Sequence, residues 1–106
     1  MIAWLLALLI SAANAATIVD HSGTITVGGS AQTLMAANAS RHGCSIQNES
    51  QYDMWFNELG SSAAASEPSH LLPAGGEWIC PSNGIPTTVI NIYGGAAGQA
   101  FSAREW

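Results

Sequence analysis

Short apolar runs separated by glycine, serine, asparagine and proline form the dominant pattern of this chain after its first twenty residues. In the clearest example, residues 44–48 (CSIQN) and 54–59 (MWFNEL) flank a polar stretch, and Gly60 closes the second run. Two such runs with a connection of roughly five residues predict a β-hairpin. The same alternation of short apolar runs and turn residues continues to the C-terminus. It predicts strands throughout, because the apolar runs are too short for helices.

The rest of the chain adds more strands of the same kind. We predict them at residues 24–27, 32–36, 70–72, 77–80, 87–93 and 99–104. About eight short strands at regular spacing indicate an all-β fold, either a small antiparallel sandwich or a jelly-roll-like barrel. Residues 61–66 (SSAAAS) suit a helical turn but are too few to hold a helix alone. We therefore expect a single β-domain at residues 17–106, preceded by an apolar segment at residues 1–16.

The N-terminal segment permits three interpretations. An apolar run at residues 2–10 is followed by Ala13-Asn14-Ala15, which fits the small-x-small pattern of signal-peptide cleavage before Ala16, although no Lys or Arg precedes the run. The segment is otherwise an uncleaved apolar arm buried in an assembly, or the product of an overcalled start codon. A membrane-spanning helix is disfavoured, because residues 2–16 would cover about 22 Å of a ~30 Å hydrocarbon core.

The arm interpretation makes specific residues candidates for an interface. Buried together with Leu6 and Ile10, they would contribute on the order of 10 kcal/mol before ordering costs. The candidates are Trp4, Leu5, Leu8 and Leu9. Contact of residues 2–16 with a membrane is the related expectation.

Charge is scarce in this chain, and its balance is acidic. Charged residues make up 8 % of the sequence, the net charge is −5, and Arg41 and Arg104 are the only Lys or Arg residues. Globular proteins usually contain about 25 % charged residues. An acidic chain without lysine is a poor match for phosphate backbones or anionic membranes, so no nucleic-acid partner is expected. The largely neutral exterior is either a surface that lies against other subunits or a neutral solvated surface.

The two cysteines, Cys44 and Cys80, leave two alternatives open. They form a disulfide if the chain is exported, which would stabilise it by roughly 3–4 kcal/mol in the chain-entropy model. Otherwise they are two buried thiols that pack as small apolar residues.

No cluster of residues demands a chemical reaction. The histidines and cysteines lack the spacing of metal ligands, no nucleophile-elbow motif occurs, and the glycine-rich residues 94–98 precede a strand rather than a helix. We therefore predict no enzyme activity, no cofactor and no metal.

Two asparagine motifs have a structural and a covalent interpretation. Asn38-Ala39-Ser40 and Asn48-Glu49-Ser50 both match the N-glycosylation sequon. In the second motif, Asn48 and Ser50 at a strand end are expected to bond their own backbone two residues on, which ends the ladder and starts a turn. The first motif is expected to lie in a turn that leads into Arg41.

Four large side chains are candidates for contacts. Trp55 and Trp78 on predicted strands form either an aromatic platform for a sugar or partner, or part of the core. Trp106 at the chain end is expected to dock on a neighbouring molecule. Arg41 either pairs with Glu49, Glu58 or another acid, within or between subunits, or is a solvated surface residue.

A family resemblance rests on a pattern that runs from residue 23 to residue 106. It begins with a Leu, two or three small residues and Asn-x-Ser-Arg, followed by an apolar strand ending in Gln-Asn-x-Ser and an apolar-aromatic-x-Asn strand. A Gly-Ala-rich stretch, a Pro-Gly turn, and a closing strand with Gly-x-x-Gly and Phe-x-Ala complete it. The matching positions are Leu34, Asn38, Ser40, Arg41, Gln47, Asn48, Ser50, Trp55, Asn57, Gly60, Pro73, Gly75, Gly98 and Phe101. With these residues the chain resembles a group of small tailed-phage and prophage proteins, similar to capsid-decorating or accessory head proteins.

The resemblance implies a function and a location. It implies a non-enzymatic virion component that forms homo-oligomers and binds a major capsid or other virion protein. The apolar N-terminus departs from the group's pattern and keeps a second interpretation open. That alternative is a secreted or periplasmic β-domain that binds glycans or cell surfaces.

Overall fold

A computed structural model describes residues 17–106 as an all-β sandwich. The expectations for residues 1–16, including the interface candidates Trp4, Leu5, Leu8 and Leu9, lie outside the described residues. Within residues 17–106 no helix forms, and none is therefore available to cross a membrane. The predicted all-β class is confirmed.

Nine strands build the two layers. They are β1 (Val19–Asp20), β2 (Gly23–Thr24), β3 (Gln32–Met35), β4 (Cys44–Asn48), β5 (Met54–Asn57), β6 (His70–Leu72), β7 (Glu77–Ile79), β8 (Ile90–Gly94) and β9 (Ala100–Glu105). Sheet A has the order β1-β9-β4-β7, with β2 also paired to β9, and sheet B has the order β3-β8-β5-β6. Every pairing is antiparallel.

The core lies between the two sheets, where alternate side chains of the strands meet. In β4 the buried side chains are Cys44, Ile46 and Asn48, while Ser45 and Gln47 face outward. The buried apolar core comprises Ile25, Leu34, Met35, Cys44, Ile46, Met54, Phe56, Leu72, Cys80, Ile90, Ile92, Phe101 and Ala103. This period of two is what a strand with one solvated face requires.

The predicted hairpin is wrong, although the strand at residues 44–48 has the predicted bounds. β4 belongs to sheet A and β5 to sheet B, so the polar stretch between them is a crossing from one sheet to the other. Asn48 directs this crossing and is 0 % exposed. Its Nδ2 donates to the carbonyl oxygens of Tyr52 (2.7 Å) and Leu72 (2.9 Å), and its Oδ1 accepts from the Ser50 backbone N–H (2.9 Å).

Five strands are shorter than predicted. The strands predicted at residues 32–36, 54–59 and 77–80 end at Met35, Asn57 and Ile79. In the other two, side chains take over ladder bonds. The backbone N–H of Thr26 donates to Gln32 Oε1 (2.8 Å), so the strand predicted at residues 24–27 ends early as β2. The strand predicted at residues 87–93 begins only at Ile90. The carbonyl oxygens of Pro86 and Thr88 instead accept from the Arg41 guanidinium.

The SSAAAS stretch forms no helix and lies in the connection between β5 and β6. Ala63 is buried, and Asn91 Nδ2 on β8 donates to the Ser61 carbonyl (2.7 Å). The connection thereby packs against part of sheet B and leaves the rest of that sheet's outer face open.

Candidate interaction surfaces

Arg41 and Glu105 form a buried charged cluster inside the domain. Arg41 is 4 % exposed, and its Nε donates to Glu105 Oε1 at 3.1 Å. Its Nη1 donates to the carbonyl oxygens of Pro86 (2.6 Å) and Thr88 (3.0 Å), and its Nη2 donates to that of Ala36 (2.8 Å). The acid that pairs with Arg41 is thus Glu105 rather than Glu49 or Glu58. The structure buries Arg41 within its own chain, so its guanidinium has no surface to offer a second subunit.

Glu105 joins this cluster to the start of the described chain. Asn38 Nδ2 donates to its Oε1 (2.7 Å), and His21 Nε2 lies 2.6 Å from its Oε2. Burial raises the pKa of Glu105, but the hydrogen bonds and charges of Asn38, Arg41 and His21 lower the pKa more, so that it lies below the usual value of 4.5. The cluster holds β9 against the chain around β1, so its role is to stabilise the fold.

Cys44 and Cys80 are joined as a disulfide, the first of the two alternatives. Their Cα atoms are 5.1 Å apart, within the usual range for this bond. The Cys80 backbone N–H also donates to the Cys44 carbonyl (2.9 Å). The bond therefore connects the beginning of β4 to the end of β7 within sheet A.

Both asparagine motifs form the same turn. Asn38 Oδ1 accepts from the Ser40 backbone N–H (3.0 Å), as Asn48 Oδ1 does from Ser50. The amide nitrogens of both side chains are engaged inside the domain, on Glu105 and on two carbonyls. This geometry favours the structural interpretation of the two motifs.

Trp106 folds back onto its own chain. Its carbonyl oxygen accepts from the backbone N–H groups of His42 (2.6 Å) and Gly43 (3.0 Å). A Cβ on Gly43 would collide with the indole, so only glycine permits this contact. The expectation that a chain-end aromatic leaves its own domain overlooked this glycine. The half-buried ring keeps one edge at the surface, where it borders the outer face of sheet A.

The outer face of sheet A is a shallow groove of about 540 Å³, lined by polar side chains together with Ile18, Ile79 and Trp106. The strand register places Glu77, Gln47 and Ser102 in one row across β7, β4 and β9. Ile79, Ser45 and Arg104 form the next row. We call these six residues the sheet A face. Ile18 and Trp106 border it at one end.

Apolar side chains mark the outer face of sheet B. Leu71, Trp55 and Tyr93 lie opposite one another on β6, β5 and β8, and we call them the sheet B row. Leu71 is 48 % exposed, while Trp55 and Tyr93 are half-buried. Trp55 is therefore at the surface, as the platform interpretation requires.

Trp78 lies at the open side of the sandwich, where β6 and β7 are sheet edges. Its ring packs on the core residue Phe56, with centroids 4.7 Å apart, so the core interpretation holds for most of this side chain. Its exposed part lines a side groove of about 550 Å³ together with Pro81 and Pro86. His70 Nε2 and Glu58 Oε2, 2.9 Å apart, line the same groove.

In the part of the chain that the structure describes, no three His, Cys, Asp or Glu side chains come together as metal ligands. Sequence reasoning missed Glu105 and Tyr93. Glu105 alternates with Ala103 and Phe101 on a strand, a pattern that marks an inward-facing acid, but its partner Arg41 is 64 residues away. Only the register reveals that Tyr93 is next to Trp55.

Comparisons with family models, with curated proteins and with solved structures found no match. The phage-like resemblance therefore stays a prediction that rests on the residues themselves.

Proposed function

We propose that this chain is a non-enzymatic structural component of a phage particle, in which copies of it decorate or stabilise a repeating protein lattice. The residue pattern of the chain suggests the class. The observation that carries the proposal is the sheet B row, a continuous apolar stripe across three strands of a domain with few charges. Contiguous exposed apolar surface is typical of protein contact sites.

In this proposal the sheet B row binds a major capsid protein or another virion protein. Aromatic side chains that are half-buried in a rigid sheet lose little conformational entropy when they bind, and they often dominate interface energies. The opposite side of the sandwich, the polar sheet A face, then stays available for other contacts. A domain with two dissimilar faces suits a lattice component that touches more than one neighbour.

The test is the protein content of purified particles. Mass spectrometry should find the wild-type chain in a fixed ratio to the major capsid protein. Trp55→Thr and Leu71→Thr, which keep β-forming side chains, should each lower incorporation at least about tenfold. Thr33→Ala, an exposed position on β3 of the same sheet, is the matched control and should incorporate normally.

Two results would contradict this function. One is normal incorporation of the Trp55 and Leu71 variants, which would exclude the sheet B row. The other is absence of the wild-type chain from particles together with a free secreted form, which would exclude the virion role.

The side groove favours a second candidate, a secreted or periplasmic domain that binds glycans. Trp78 supplies an aromatic surface for a sugar ring, and Glu58 and His70 supply polar partners at the same groove. Oligosaccharides titrated into the full chain should then change tryptophan fluorescence. Glu58→Gln should weaken that change and Glu49→Gln, outside the groove, should not. No response to neutral or acidic oligosaccharides would eliminate this candidate.

A further inference from the structure

The sheet A face carries two opposite charges that form no ion pair. Arg104 on β9 and Glu77 on β7 are exposed, and neither lies within 4 Å of an opposite charge among residues 17–106. Asp20 on β1 is the cross-strand neighbour of Arg104 but lies beyond ion-pair distance. Because Arg41 is buried and lysine is absent, Arg104 is the only accessible Lys or Arg in residues 17–106. Any Lys- or Arg-to-carboxylate contact between copies of the described domain must therefore use Arg104.

The register arranges this face as a self-complementary patch. Arg104 and Glu77 occupy opposite corners of the two rows, with β4 between them, and Ile79 and Ser102 occupy the other two corners. A two-fold axis in the plane of contact that passes through Ile79 and Ser102 exchanges the charged corners. It places Arg104 of each copy over Glu77 of the other and Ile79, 60 % exposed, against its own equivalent.

We propose that the sheet A face is a self-association site, where a second copy of this chain docks with its sheet crossing nearly at a right angle. Face-to-face packing of sheets at such angles is one of the two common arrangements, and a two-fold interface has to be self-complementary in this way. This inference rests on the proposed function, because the sheet A face would supply the contact between copies of the chain on the lattice. The sheet B row then remains for the other virion protein.

The size and chemistry of the patch set the strength of the contact. Six residues on three short strands make a small interface, and small polar interfaces form weak, transient complexes. Small and polar side chains at Ser45 and Gln47 allow close approach and hydrogen bonding, whereas Ser102 Oγ already donates to Glu49 Oε1 (3.1 Å). The two Arg104–Glu77 pairs orient the copies. A repeating lattice multiplies such weak contacts through effective concentration.

A charge-swap experiment on the full chain tests the site. Arg104→Glu places two acids over each other, and Glu77→Arg places two cations over each other. Each variant alone should raise the self-association constant Kd, measured by sedimentation equilibrium, at least about tenfold, since like-charge contacts are strongly unfavourable. An equimolar mixture should restore association, because each mixed pair then has two complementary contacts. The mixture also keeps the mean net charge of the wild type.

Glu67→Arg is the matched control, since Glu67 is exposed in the connection between β5 and β6 and its change of charge equals that of Glu77→Arg. Mixing it with Arg104→Glu should not restore association. If Glu67→Arg and Glu77→Arg restored the association of Arg104→Glu equally well, the proposal would be overturned, because association would then depend only on net charge. Undiminished association of Arg104→Glu would also overturn it and would assign the contact to another occupant, such as residues 1–16. If either of these two results is found while particles still contain the wild-type chain, the proposed function stands and only the self-association site is excluded.

Discussion

The two arginines of this chain occupy opposite environments. Arg41 is enclosed by Glu105 and three backbone carbonyls, whereas Arg104 lies exposed on the sheet A face without an ion pair among residues 17–106. A guanidinium that is removed from water must have its N–H groups satisfied, and all partners of Arg41 come from its own chain. Arg41 is therefore committed to folding, and Arg104 is available for a partner.

The difference also separates two kinds of energetic effect. Removing one member of a buried pair leaves the other charge desolvated without compensation, which costs far more than the pair itself contributes. An exposed charge keeps its water, so its removal changes the stability of the isolated domain very little. The same substitution at the two arginines should thus have very different effects.

The largest expected effect is that of Arg41→Met. The change leaves Glu105 charged and buried and leaves the Pro86 and Thr88 carbonyls without donors, so the free energy of unfolding should fall by about 3–5 kcal/mol. Urea unfolding followed by circular dichroism measures it. Arg104→Met is the paired control and should stay within about 0.5 kcal/mol of the wild type. Similar losses for both variants would mean that the contrast between the two sites is wrong.

Asn48→Ala should have the next largest effect on the free energy of unfolding. Because Asn48 is buried but neutral, this variant shows how much burial contributes without charge. The neutral Asn48 side chain satisfies the Tyr52 and Leu72 carbonyls at the crossing between the sheets. Its loss leaves the buried Leu72 carbonyl without this donor, while Ser50 Oγ still donates to the Tyr52 carbonyl, so unfolding should become easier by about 1–3 kcal/mol. Asn83→Ala, at an exposed turn position, should be nearly neutral. A small effect at Asn48 would indicate that charge, and not burial, is what makes Arg41 important.

The smallest expected effect is in the pH dependence of stability. Because the pKa of Glu105 is lowered in the folded state, its contribution is fully present above the usual pKa of 4.5 and is lost as the pH falls through the lower folded value. Urea unfolding between pH 3 and pH 6 should therefore show stability falling toward acid. Glu105→Gln should weaken that dependence, and the exposed control Glu77→Gln should not. An unchanged acid slope in the Glu105 variant would contradict the assigned pKa direction.

Local pattern was sufficient to predict the strands whose ends are marked by strong turn residues. Residues 44–48 and 70–72 have the predicted bounds, because Asn48 closes the first and Pro73 closes the second. The strand predicted at residues 87–93 starts three residues late. The reason is a contact that local propensity does not contain, since Arg41 binds the carbonyls that would otherwise join the ladder.

The candidate surfaces were only partly predictable for the same reason. Trp55 was identified from its alternation with buried neighbours, but the stripe that it forms with Leu71 and Tyr93 needs strands that are distant in the chain. The hairpin prediction failed because an Asn-x-Ser turn begins a return within one sheet or a crossing to the other equally well. The side-chain bond from Asn48 to the Leu72 carbonyl decides between them.

The sequence by itself determined the all-β class, the positions of most strands and the scarcity of charge, since period-two alternation and turn residues act over a few neighbours. The tertiary structure alone decided that Arg41 rather than Arg104 is buried, that Cys44 lies next to Cys80, and where Trp106 lies. Those outcomes depend on pairings such as Arg41 with Glu105 and Trp106 with Gly43, which join residues more than sixty positions apart. No local pattern encodes such partners, because the register of the whole sandwich selects them.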